Sequence, residues 1–335
     1  MIKVAIIGAG FMGGVHANAY SQMDSGKVKV MAICDKNQEA GEKFAQTYGC
    51  RYFNDFDAMI NEIEIDLVDI CLPTFLHEEY VIRAAQNKKN IFCEKPVTLD
   101  TAKLERMMAE VEKNDVMMMV GQVLRFWPEY VKAKELIEKK DLGEINYVFA
   151  ARLSEHPKWS EWYCRPENSG GGVLDLHLHD IDFLCWLFGE VKSVYATGKQ
   201  NKIGSWNFVS TILEFVNGVS ATIQGVMEMT DGYPFTMDLK IAGTKKTYEY
   251  VMKAGNNLEE IGKSKRDAYL YENGIAHKLQ IEEKDAYQLE LEHFIDCLIQ
   301  EKNSEIISMA EVRNVLYTIE AIKKSLETGC KVKVE

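Results

Sequence analysis

"KVAIIGAGFMGGVHANAY" (Lys3–Tyr20) passes from an apolar run, through a cluster of glycines, into helical spacing. The order reads strand, tight turn, helix. Within the turn, Gly8, Gly10 and Gly13 stand at G-x-G-x-x-G spacing, with Phe11 and Met12 between the last two. Gly8 permits the turn. Gly10 lets a pyrophosphate approach the backbone, and Gly13 lets helix and strand pack closely. The helix start then offers free N–H groups and a partial positive charge to phosphate. An ordinary glycine turn has the same look, so a second element is needed.

Asp35 supplies it. It closes the next apolar run, "VKVMAICD" (28–35), about 20 residues past the glycines, where an acid accepts hydrogen bonds from the adenosine ribose hydroxyls. A carboxylate there repels a 2′-phosphate and favours NAD. Lys36 follows directly and could pair with such a phosphate, which keeps NADP open.

Outward from this unit the alternation continues. "NQEAGEKFAQTYG" (37–49), "LHEEYVIRAAQNK" (76–88) and "TAKLERMMAEVEKND" (101–115) read as helices. "DLVDICLP" (66–73), "NIFCEKP" (90–96) and "VMMMVGQ" (116–122) read as strands. Strand-helix alternation with right-handed crossovers gives a parallel, doubly wound sheet. His16, inside the first helix, reads as a packed or hydrogen-bonded core histidine.

The whole chain of 335 residues is 47% hydrophobic, enough for two domains. Its net charge of −12 argues against nucleic acid or an anionic membrane as partner. Eight cysteines form no C-x-x-C pair and read as reduced thiols without zinc. The opening apolar run is too short for a secretion signal, and no stretch approaches the roughly 18 apolar residues of a membrane span. The chain is therefore expected in the cytoplasm.

A second dense stretch is "GGGVLDLHLHDIDFLCWLFG" (170–189). Asp175 and His179 are four apart, which puts them on one face of a continuous helix. A carboxylate beside an imidazole orients the ring and stabilises its protonated form, and histidine suits proton transfer near neutral pH. Asp175 as a simple helix-start anion is the alternative. His177 then points elsewhere. His177, His179, Asp180 and Asp182 as metal ligands form a minority reading, and no metal is expected.

At "CEKP" (93–96) the sequence resembles the glucose–fructose oxidoreductase/inositol dehydrogenase/MocA family. The resemblance runs through "VAIIGAGFMGGVHANAY", "DICLPTFLHEEYVIRAAQNKKNIFCEKPVTLD", "VGQVLRFWPEY", "SGGGVLDLHLHDIDFLCWLFG" and the closing "ELEHFIDCLI" and "AIKKSLETGCKVKV". It implies an α/β chain: a Rossmann domain, placed at 1–121, and an α/β domain with a large, mostly antiparallel sheet, placed at 122–335, whose last helix can pack back on the first. The short strand-like runs between 193 and 283 are compatible with that.

The resemblance further implies an NAD(P)-dependent dehydrogenase acting on a secondary hydroxyl of a sugar, glycoside or cyclitol, assembled as a homodimer or homotetramer. Lys95 is then the catalytic lysine, next to Glu94 and Pro96. His179 is the base and Asp175 its partner. Cys71, Pro73, Thr74, His77 and Gln122 are implied around the nicotinamide, with a helix-start role open for His77. Arg125, Trp162, Arg165 and His177, together with Trp127, Trp159 and Tyr163, are candidates for the substrate pocket, with packing of a core or subunit contact as the alternative. Two other activities stay open: an NAD-dependent glycoside hydrolase working by transient oxidation, and a non-catalytic NAD(P)-binding regulator.

Overall fold

Secondary structure follows the alternation read from the sequence. A computed structural model describes residues 1–156, 162, 165–255 and 264–334. Its contacts divide the chain into two compact units, Met1–Phe126 with Lys284–Val312, and Trp127–Glu283 with Arg313–Glu335. This division differs from the boundary expected after residue 121. The segment 284–312, counted above with the second domain, belongs to the first unit.

In the first unit the elements run β1 (Ile2–Ile7), α1 (Phe11–Gln22), β2 (Val28–Cys34), α2 (Gln38–Tyr48), β3 (Arg51–Phe53), α3 (Phe56–Glu62), β4 (Leu67–Ile70), α4 (His77–Gln86), β5 (Asn90–Cys93), α5 (Thr101–Asn114) and β6 (Met118–Val120). The six strands form one sheet in the order β3-β2-β1-β4-β5-β6, every pair parallel. That order reverses between β1 and β4, the switch point where ligands bind beyond the strand ends. Val4 to Ile6, Leu67, Val68, Ile70 and Ile91 to Cys93 are fully buried, as a sheet covered on both faces requires. Helices α2 and α5 start on the side chains of Asn37 and Asp100, which accept N–H bonds from Ala40 and Lys103.

The second unit begins with α6 (Pro128–Glu138), β7 (Ile145–Glu155), α7 (Pro166–Ser169), α8 (Gly171–Asp175) and α9 (Leu178–Phe188). It continues through β8 (Val191–Gln200), β9 (Trp206–Phe215), β10 (Ser220–Met229), β11 (Thr236–Gly243), β12 (Thr247–Lys253), β13 (Lys265–Glu272) and β14 (Ile275–Lys278). Helix α10 (Ala286–Gln300) is in the first unit, α11 (Met309–Thr328) starts there, and β15 (Val332–Lys333) ends the second. The nine-stranded sheet has the order β14-β13-β12-β11-β7-β10-β9-β8-β15. Only β7 and β10 pair in parallel; the other neighbours are antiparallel. Strands β9, β10 and β12 alternate buried and accessible residues, so one face is covered and the other open. A ladder across the open face runs Tyr195, Ile212, Thr222, Phe149, Lys240, Glu249, Tyr269 and Lys278. No helix among the described residues is long and apolar enough to cross a membrane.

On the covered face, two polar side chains fasten α8 and α9 to the sheet. Asp180 is wholly buried and forms a fork with Arg152 of β7, Nε to Oδ2 and Nη2 to Oδ1 both at 3.1 Å. Burial pushes the Asp180 carboxyl up, and the guanidinium pulls it back. His177 is also wholly buried, its Nε2 2.9 Å from the Thr211 hydroxyl of β9. It fits because Gly225 of β10 has no side chain; a Cβ there would lie 2.6 Å from the imidazole Nδ1. Burial drives the pKa of His177 down to about 3, so the ring is neutral.

The Arg152–Asp180 pair allows a stability test. Arg152→Ala leaves a buried carboxylate without its cation and is expected to cost about 3–5 kcal/mol. All five tryptophans fall in 127–206, within the second unit, so their fluorescence during urea unfolding reports that unit alone. The double variant R152M/D180L should recover most of the loss. A single variant within about 1 kcal/mol of the parent would mean that the pair contributes no more than an exposed one.

Candidate active site

The glycine turn behaves as the sequence requires. Gly8 has φ +109°, and a Cβ on it would lie 2.5 Å from the Cys71 carbonyl oxygen. A Cβ on Gly13 would fall 2.0 Å from the Gly8 carbonyl oxygen, so α1 packs on the turn only because that position is glycine. Above Gly10 there is open space, and α1 starts there with no side-chain cap on its N–H groups. Phe11 is exposed and Met12 half-buried beside it.

Asp35 stands at the end of β2. Its Oδ2 accepts the Ala9 N–H at 2.7 Å and its Oδ1 the Asn37 N–H at 2.7 Å. The carboxylate is thus tied to the glycine turn itself, and each oxygen keeps a lone pair for a ribose hydroxyl. Lys36 is exposed. An uncapped helix start, an open glycine and a fixed acid fit NAD.

The end of β4 carries Cys71, Pro73 and Thr74. Cys71 and Pro73 are partly accessible, while Thr74 is buried at the start of a single 3₁₀ turn. His77 is different. It is the first residue of α4 and buried, with Nδ1 2.9 Å from the Pro96 carbonyl and Nε2 2.7 Å from the Leu72 carbonyl. Both ring nitrogens face backbone carbonyls, and burial pushes the His77 pKa down. The neutral ring therefore donates its one N–H to one of them and sits between two loops where a cofactor contact was one of its expected roles. Gln122 is buried, and its N–H donates to the carboxylate of Glu290 on α10. Its Oε1 has no hydrogen-bond partner among the described residues.

Arg125 was expected to meet substrate. Its side chain is instead wholly buried, with Nη1 donating to the Ile306 carbonyl at 2.7 Å and pairing with Glu311 at 3.0 Å. Glu311 in turn accepts the Ser308 N–H at 3.0 Å, at the start of α11. Nη1 of the guanidinium helps to hold that helix start.

Glu94, Lys95 and Pro96 follow β5. Lys95 is half-buried, and the peptide before Pro96 is cis. Glu94 is buried; its Oε2 accepts the Lys95 N–H at 3.2 Å and its Oε1 lies 3.1 Å from His16 Nε2. The other ring nitrogen of His16 lies 2.9 Å from Asp69 Oδ2 and 3.2 Å from Cys71 Sγ. Burial alone would push the imidazole down; Asp69 and Cys71 outweigh it and hold His16 well above its ordinary pKa. Burial pushes the Cys71 thiol up. His16 was foreseen as a core histidine, but Asp69 and Glu290 were not singled out.

In the second unit Asp175 and His179 do not share one continuous helix. Asp175 ends the short α8, and His179 is the second residue of α9. Between them Leu176 and His177 keep right-handed helical dihedrals, but the His177 N–H reaches back to the Gly172 carbonyl at 2.9 Å, an i to i−5 bond. Such one-turn widenings of a helix recur at functional sites. Asp175 is 9% exposed and His179 half-buried. His177, expected to contact substrate, faces the sheet instead. With Asp180 committed to Arg152, the four-residue metal set of the sequence reading is not assembled. Among the described residues, His16, Asp69 and Cys71 bring potential ligand atoms within 4.8 Å of one another. Trp162 is half-buried and Arg165 exposed before α7; Trp159 and Tyr163 lie outside the described residues.

Comparison with known proteins agrees with both units. Residues 2–122 match the family described as an oxidoreductase family with an NAD-binding Rossmann fold, and residues 130–249 match the GFO/IDH/MocA C-terminal domain. Inositol 2-dehydrogenase of Rhizobium meliloti is 31% identical over 69% of this chain and 71% of its own. Myo-inositol 2-dehydrogenase of Thermotoga maritima is 28% identical over 100% of this chain and 99% of its own. The WlbA dehydrogenase of Bordetella pertussis, solved with NADH and UDP-GlcNAcA, has the same fold, with a TM-score of 0.84 at 22% identity over 100% of this chain and 99% of its own. The chain belongs to the Gfo/Idh/MocA family of NAD-binding oxidoreductases.

Proposed function

We propose that the protein is an NAD-dependent dehydrogenase that transfers a hydride between nicotinamide and a secondary hydroxyl of a sugar, glycoside or cyclitol. The observation that carries this reading is Lys95, at the carboxyl end of a central parallel strand in a turn braced by His16 and His77. The named inositol dehydrogenases among its relatives support the substrate class.

NAD, when bound, supplies the hydride acceptor. Lys95 donates a hydrogen bond to the reacting oxygen and stabilises negative charge on it. His179 removes the hydroxyl proton, and in the reverse direction returns it. Asp175 orients the imidazole and supports its protonated form. Trp162 and Arg165 address the ring faces and hydroxyls of the substrate. Asp35 holds the adenosine ribose, with Gly8, Gly10 and Gly13 under the pyrophosphate. The enzyme works in the cytoplasm as a homodimer or homotetramer that pairs through the open face of the second sheet, where Tyr195 and Ile212 are 42% and 46% exposed.

Three measurements test this. With NAD and a panel of sugars, glycosides and inositols, absorbance at 340 nm should rise for one substrate class, and Lys95→Ala should lower kcat roughly 10²–10⁴-fold while NAD binding is kept. Near-normal turnover in that variant would remove Lys95 from the chemistry. Release of a glycoside leaving group without net NADH would indicate the hydrolase. For the cofactor, kcat/KM should favour NAD, and Asp35→Ser should narrow the preference; a parent enzyme as efficient with NADP contradicts the role of Asp35. In light scattering, a particle of 38.2 kDa, one chain, would refute the oligomer.

A further inference from the structure

Asp69 alone would satisfy the charge of a buried imidazolium. The second ring nitrogen of His16 is nevertheless committed to Glu94, whose other oxygen accepts the N–H of Lys95. The Glu94 carboxylate sits where it does because Gly121 leaves room: a Cβ there would lie 2.8 Å from Glu94 Oε1. On the far side of Lys95, the Pro96 carbonyl lies 2.9 Å from His77 Nδ1. The turn thus has a histidine at each end, and its Glu94 end is tied to α1, the helix that starts on the glycine turn. The other groups around the imidazole are Cys71, the Phe92 ring at 5.4 Å and the Tyr287 ring at 6.4 Å. All belong to the first unit.

We propose that His16 is a positioning residue for Lys95, acting through the Glu94 carboxylate that bridges the imidazole and the Lys95 peptide. It fixes the Lys95 peptide, from which the ammonium is carried, and the charge beside it on Glu94. This rests on the reading of Lys95 as the lysine that touches substrate.

The test reads Lys95 directly. The protein and its variants His16→Leu and His16→Gln are labelled with trace acetic anhydride across pH, and each lysine is quantified by mass spectrometry. In His16→Leu the labelling midpoint of Lys95 should move by about half a pH unit or more, because the balance of charge at Glu94 has changed. Lys113 and Lys139, on the surface, should not move. His16→Gln keeps a donor for Glu94 and should reverse at least half of the shift. A Lys95 midpoint that stays in place overturns the proposal. So does a shift shared by Lys113 and Lys139, or one that glutamine fails to reverse, since those mark a merely structural residue. Should His16→Leu not fold, the same criteria apply to His16→Asn, whose shorter side chain cannot span both acids. Labelling does not depend on turnover, so this result and that of Lys95→Ala can fail separately.

Discussion

A carboxylate taken out of water must meet a cation or hydrogen-bond donors, or give up its charge. Among the described residues of the first unit, Asp69 and Glu94 are buried toward the ends of adjacent strands, with one imidazole set between them. Much of the local architecture follows. Helix α1 must bring His16 over the strand ends, so it must pack tightly on β1. That packing needs Gly13, and the turn before it needs Gly8. The same glycines leave the start of α1 bare for an anion. One electrostatic requirement and one cofactor requirement are thus met by the same turn.

The second unit solves the same problem with different groups. There the wholly buried Asp180 has Arg152 as its cation, a fork joining α9 to the middle of the sheet. Arg152 hid its own strand from sequence reading. In β7 the residues Ala150, Ala151 and Arg152 are buried in succession, so the run shows neither strict alternation nor an unbroken apolar stretch. Strand β3 escaped for a simpler reason: three residues are too few to show a period.

What was legible in the sequence is local. The G-x-G-x-x-G turn, the acid ending β2 and the alternation of periods each announce themselves locally, and the parallel, doubly wound sheet follows from them. What was not legible depends on partners far apart in the chain. Asp69 looks like an odd acid in an apolar strand until His16 arrives from 53 residues away. Glu290 finds the N–H of Gln122 across 168 residues. Arg125 next to two aromatics suggests a pocket, but its Nη1 meets Glu311 and the Ile306 carbonyl, more than 180 residues away.

His16 and His177 show why burial alone does not assign a histidine its role. Both are wholly buried. His16 meets two carboxylates, and burial, which would lower its pKa, is outweighed by Asp69 together with Cys71. His177 meets a threonine hydroxyl, which does not outweigh it, and burial drives its proton off. The first is an ionic strut and the second a neutral wedge between helix and sheet. In the stretch 170–189 this sorting by partner gives the order seen along the chain. His177 and Asp180 meet the sheet, and both are consumed there. Asp175 closes α8 and His179 is the second residue of α9, on either side of that attachment. The attachment of His177 and Asp180 to the sheet therefore fixes the segment that carries Asp175 and His179.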